Sequence, residues 1–201
     1  MLRKMSEDER NKIERIERIA KLIYPRHGTH GIEHIERVLA IALRIAEAEE
    51  DEVSEFILRA SCLLHDSSRR KSSRNHAEES AALAGEILRG MGVEEGKVKR
   101  VLEAISSHSF SEKREQSSIE SKILSDADKI DALGAVGVAR VFQYAGEMGR
   151  TIEESIEHFR EKILKLPEEM HTEFGRKIAN ERALFVKAFL EQLERELGGV
   201  R

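Results

Sequence analysis

Apolar residues recur along this chain at three- and four-residue intervals, the spacing that gathers them on one face of an α-helix. Ser6 and Glu9 stand at capping-box distance, and Ile13, Ile16, Ile19, Ala20 and Ile23 follow at helical intervals until Tyr24-Pro25, which predicts a first helix. After a loop over 26–31, Ile32, Ile35, Leu39, Ala42, Leu43 and Ala46 form one stripe. His34, Val38, Ile41 and Ile45 form an adjoining stripe, so His34 is expected inside. A third helix, capped by Asp51, passes through Phe56, Ile57, Ala60, Leu63 and Leu64 to His65-Asp66 and gives way to a polar, basic loop over 67–74. Further helices are expected over 76–91 and 97–108, followed by a polar connector over 109–118. A sixth starts near Ile119 and continues through Gly134 and Gly137. Thr151 and Glu154 form a second capping box whose helix ends before Pro167, and a last helix covers about 172–197. No stretch requires a strand, and the expectation is an all-α bundle of about seven to eight helices in a single domain over 1–201.

Composition narrows the class. Of 201 residues 40% are hydrophobic and 36% charged, enough for a core beneath a heavily solvated surface. Only 13 glycines and 2 prolines are present, which disfavours a turn-rich all-β fold. Cys62 is the single cysteine and cannot form an internal disulfide, so a reducing, cytoplasmic setting is the natural expectation. The first eight residues carry charge where a secretory leader is apolar, and the longest run of apolar residues and glycine, 132–139, is far short of the ~20 residues of a membrane span. A net charge of −4 without tryptophan argues against stable nucleic-acid binding through a broad basic face.

The eight histidines carry the chemical signal, because several stand at the ends of apolar helices. His34, His65, Asp66 and Asp128 come from three separate helices; packed together, they would offer two imidazole nitrogens and two carboxylates to one cation and leave positions open. Such a mixed N/O set suits Mn²⁺, Fe²⁺, Co²⁺, Ni²⁺ or Mg²⁺ better than a closed structural zinc. His158 and His171 read as surface or satisfied core residues. Asp128 and Asp131 are neighbours on one helix face, while Asp126 points elsewhere.

His34, His65-Asp66 and Asp128 within Ala127-Asp128-Lys129-Ile130 match the H…HD…D signature, and the chain resembles the HD superfamily of metal-dependent phosphohydrolases. The likeness extends through His34-x-x-Arg37-Val38, residues 60–66, Ala104-Ile105-x-x-His108 and residues 126–137 to the tail segments 162–166 and 172–179. It resembles the small stand-alone members. The resemblance implies a metal-binding core over about 20–145 with C-terminal helices over about 151–198 packed on it. It also implies His34, His65, Asp66 and Asp128 as metal ligands, with Asp126 the alternative fourth. Asp128 is preferred because the family's last aspartate follows a small residue and precedes a basic or polar one. Mn²⁺ or Fe²⁺ is the favoured cofactor. His76 and His108 resemble histidines that hold a second metal in some relatives; the preferred reading makes them donors to phosphate or to the leaving group. Two departures stand out: His30-Gly31 replaces the His-Asp often found before the first ligand, and no glutamate follows Asp66 within four residues, so His108 or His76 becomes the proton-donor candidate.

The implied activity is hydrolysis of a phosphoester or phosphoanhydride by metal-activated water, with a nucleotide as substrate, of pyrophosphohydrolase or phosphatase type. The alternative is a catalytically weak domain that senses a nucleotide or metal and acts through a partner. Lys129, beside Asp128, is the expected cation at the reacting phosphoryl group. Arg37, Arg69, Arg70 and Lys71 are expected to grip phosphates, with Arg74 nearby. Tyr24, Phe110, Phe142 and Tyr144 are the candidates for stacking a base. The chain is expected to act as a monomer or homodimer.

Overall fold

The computed structural model describes residues 1–26, 28–68, 76–108 and 117–199. Helix α1, Glu7–Ile23, opens on a complete capping box: the Ser6 hydroxyl accepts from the Glu9 amide, and the Glu9 carboxylate accepts from the Ser6 amide at 2.7 Å. It stops at Tyr24, whose extended backbone is the conformation that a following proline favours. Helix α2, Ile32–Ala48, presents the predicted double stripe, with His34 buried among the aliphatic residues. Two short strands then depart from the sequence-based expectation. Leu2–Arg3 (β1) and Val53–Ser54 (β2) pair in parallel, and Ser54 rather than Asp51 caps helix α3, Glu55–Leu64. Val53 is fully buried, so the extended segment is held by packing that helical periodicity does not encode.

Helices α4, His76–Gly90, and α5, Glu95–Ser107, pack along each other. Helix α6, Ile119–Asp131, ends where continuous helix was expected, and α7 is a separate element, Gly134–Met148. The turn between them needs glycine twice. Gly134 has φ +71°, and a Cβ on Gly137 would lie 2.2 Å from the Ala132 carbonyl oxygen. Helix α8, Ile152–Glu161, starts at the Thr151–Glu154 capping box and runs into a 3₁₀ segment, Ile163–Glu169, that holds Pro167. Helix α9, Glu173–Leu197, completes nine α-helices among the described residues, none long and apolar enough to cross a membrane.

Two clusters of apolar side chains lie on either side of α3. One gathers Leu58 and Cys62 with residues of α2, α6 and α9; the other gathers Phe56, Ile57 and Leu64 with residues of α1, α4 and α5. All of α3 except the Glu55–Arg59 ion pair is buried, as expected of a helix packed on two sides. Each such fully buried aliphatic side chain stabilises by about 1.5–3 kcal/mol, and that surplus offsets the cost of the polar residues at the end of α3. Those residues are His65 and Asp66.

Candidate metal centre and adjoining cavity

Helix ends bring the histidines together. His34 lies in the first turn of α2, His65 caps the C-terminus of α3, His76 begins α4 and His108 caps the C-terminus of α5. All four are buried, as is Asp66. Helix α6 contributes Asp128, whose side chain is 30% exposed and faces the neighbouring cavity.

The imidazoles are oriented from behind. His65 Nδ1 donates to the Cys62 carbonyl at 2.8 Å, and His108 Nδ1 donates to the Ile105 carbonyl. A carbonyl oxygen only accepts, so the neutral ring carries its proton at Nδ1 and a lone pair at Nε2. His34 Nδ1 donates to Asp131 at 2.8 Å in the same manner. The Nε2 atoms of His34, His65 and His108 are buried and have no hydrogen-bond partner among the described residues. An orphaned buried acceptor costs about 1–3 kcal/mol, and three at one place are the arrangement a cation relieves.

Carboxylate oxygens complete the cage. Asp128 Oδ1 is 3.4 Å from His34 Nε2 and 4.0 Å from His65 Nε2, and Asp66 Oδ2 is 4.0 Å from both nitrogens. Ligands about 2.0–2.2 Å from a common cation lie at most about 4.4 Å apart, so these spacings fit one ion. The other oxygen of Asp66 is 3.9 Å from His76 Nε2 and 4.0 Å from His108 Nε2. His30 adds a further nitrogen 3.1 Å from Asp66 Oδ2.

Local charge follows this geometry. Burial holds the His65 and His108 pKa values down, and His65 lowers that of His108 further. Burial opposes charge on His34 as well, but the nearby Asp128 and Asp131 carboxylates outweigh it and raise its pKa. Asp131 is pushed down to about 2: burial alone would raise it, and His34, Arg37 and Arg140 together overcome that.

Asp126 does not face the centre. Buried on α6, it accepts from the backbone amides of His171 and Thr172 at 2.9 and 2.8 Å and from the Thr172 hydroxyl at 2.7 Å, anchoring the start of α9. That removes it as the alternative fourth ligand. Arg37 turns away from the cavity to a bidentate pair with Asp131, at 2.7 and 3.1 Å, where the sequence suggested a phosphate contact. Lys129 lines the cavity; burial lowers its pKa, and its ammonium donates to the Glu169 carbonyl at 3.2 Å. Phe142 packs against Phe159 and Phe189 and does not line the cavity, whereas Tyr24 and Tyr144 do. Arg69, Arg70, Lys71, Arg74 and Phe110 lie outside the described residues.

The cavity measures about 970 Å³ and reaches from Asp66 and Asp128 to the α7–α8 region. Sequence reasoning missed several of its polar groups. Arg140 donates to Asp131 at 2.8 Å and to the Thr29 carbonyl at 2.7 Å, and Arg150, His158 and Lys162 also line the space. Asp131 was accessible as the residue one helical turn from Asp128. The other cations carry no motif.

The chain matches the HD domain family over residues 31–133. It is 34% identical over 172 residues to YpgQ of Bacillus subtilis (strain 168), covering 82% of this chain and 82% of that protein. The crystal structure of B. subtilis YpgQ in complex with ADP is similar with a TM-score of 0.81 and 30% identity, over 96% of this chain and 98% of that one. An HD-superfamily hydrolase from Bacillus thuringiensis is similar with a TM-score of 0.76 and 32% identity, over 95% and 99% of the two chains.

Proposed function

Because the chain belongs to the HD domain family, we propose that it is a metal-dependent phosphohydrolase that cleaves a phosphoester or phosphoanhydride bond of a nucleotide. The observation that carries this reading is the set of three buried, unpartnered imidazole Nε2 atoms directed at two aspartates beside a large cavity. His34, His65, Asp66 and Asp128 are assigned as the residues that hold a divalent cation, with Mn²⁺ or Fe²⁺ favoured for the mixed nitrogen and oxygen set. When bound, such a cation supplies Lewis acidity, lowering the pKa of water and drawing charge from a phosphoryl oxygen.

The chain's own groups do the rest. Asp131 keeps His34 in the tautomer that points Nε2 inward, and Arg37 and Arg140 keep Asp131 charged. Lys129, on the cavity wall, supplies positive charge toward the reacting phosphoryl group. His108 keeps its ring proton at Nδ1 on a carbonyl, so Nε2 accepts; proton delivery to the leaving oxygen is therefore assigned to His76. The cavity has the volume of a nucleotide site, and the ADP held by the YpgQ relative supports that ligand class.

A second reading, with another cation on Asp66 Oδ1, His76 and His108, is favoured by the 3.9 and 4.0 Å spacings there. Elemental analysis separates the two: two ions per chain, one of them lost in His76→Ala, selects the dinuclear site. The function is tested by assaying the Mn²⁺-loaded protein against nucleoside mono-, di- and triphosphates and cyclic nucleotides. Asp66→Ala is expected to abolish metal retention and turnover together. Undiminished activity in that variant would refute the assignment, and tight nucleotide binding without turnover would select the sensor.

A further inference from the structure

Residues beyond the matched HD segment, which ends at 133, build the far part of the cavity. Helix α7 ends at Gly149, whose left-handed backbone (φ +68°) turns the chain so that Arg150 follows immediately, its amide bonded to the Ala145 carbonyl at 2.9 Å. Helix α8 carries His158 and is capped by Lys162, whose amide donates to the His158 carbonyl at 3.1 Å. One helical hairpin therefore delivers three basic side chains to one cavity wall.

These groups repel one another. Burial lowers the pKa of His158, and the charges of Lys162 and Arg150 lower it further against the smaller opposing effect of Glu161. The Arg150 guanidinium lies 5.3 Å from the centre of the Tyr144 ring. Nearer the metal centre, Arg140 donates to Asp131 and to the Thr29 carbonyl, and Lys129 donates to the Glu169 carbonyl. Glu147 also lines the cavity, on the side of Gly28. At about 970 Å³ the space far exceeds what one phosphate fills. Like charges brought together in a cavity are stabilised by a shared anion, and guanidinium and ammonium groups together suit phosphate oxygens.

We infer that Arg150, His158 and Lys162 form a second anion subsite, for phosphates beyond the one that reacts, so that the preferred substrate is an oligophosphate such as a nucleoside di- or triphosphate rather than a monophosphate. This rests on the reading of the Asp66–Asp128 centre as the place of reaction and adds the feature that selects among its substrates.

The test compares two probes that resist hydrolysis, methylenediphosphonate with two anionic groups and methylphosphonate with one, binding to the Mn²⁺-loaded full chain by titration calorimetry. In R150A/K162A the dissociation constant for methylenediphosphonate is expected to rise at least tenfold, while those for methylphosphonate and Mn²⁺ change less than twofold. Arg150→Lys, which keeps the charge, should recover part of the loss. Equal weakening of both probes, or no weakening of the diphosphonate, overturns the subsite. Because the readout is binding, absence of nucleotide hydrolysis in the wild type would sink the phosphohydrolase assignment without deciding this one.

Discussion

The three aspartates on α6 meet different surroundings, and those surroundings decide what each can do. Asp126 is surrounded by donors from the start of α9, and no space remains for an ion: even a Cβ on Gly175 would lie 2.7 Å from its Oδ2. Asp126→Ala is expected to leave Mn²⁺ affinity unchanged and to cost about 1–3 kcal/mol of stability, read as a lower urea midpoint, because the α9 amides lose their acceptor. Asp131 sits behind His34 with two arginines on it. Asp131→Asn keeps the shape but removes the charge that holds the His34 ring, and is expected to weaken Mn²⁺ binding about 10–100-fold in a calorimetric titration. The histidines and aspartates were recognisable by residue type and spacing. The preference for Asp128 over Asp126 came from the family resemblance alone; the two stand about 200° apart around the helix, a little over half a turn, so packing decides which of them meets the imidazoles.

At the level of elements, local chemistry was the better guide. Both capping boxes form, and periodicity placed α1, α2, α4, α5 and α9 close to where they occur. Ser6→Ala is expected to cost about 1 kcal/mol, seen as a fall in the thermal midpoint, since one helix N-terminus loses its acceptor. The expectations that failed concern backbone set by neighbours. Asp51 yields the cap to Ser54 because β2 pairs with a strand some fifty residues away in sequence. The sixth helix breaks at 132–133, where Gly134 takes a left-handed backbone and Gly137 lies against the Ala132 carbonyl, which a run of small residues permits but does not announce. Gly137→Ala is expected to destabilise by about 1–3 kcal/mol, at the upper end because the atom it meets is a backbone oxygen. Measured thermally, that is a loss of about 2–4 °C per kcal/mol for a chain of this size.

For the whole molecule, metal binding and folding are expected to be linked, because the proposed ligands come from helices that only the folded chain brings together. Mn²⁺ at a hundred times its dissociation constant should stabilise the fold by about 2.7 kcal/mol, a rise of about 5–10 °C in the thermal midpoint that chelation reverses. Asp66→Ala should abolish that response. The helical class, most helix starts and stops, and the residue types able to hold a cation were legible in the sequence, because periodicity, caps and ligand chemistry act over a few residues. Tertiary structure alone decided that α3 lies between two cores and ends at the centre. It also decided that Asp131 and its arginines stand behind His34, and that a distant hairpin lines the cavity with Arg150, His158 and Lys162. Those are contacts between residues tens of positions apart, and their geometry follows from how whole helices pack.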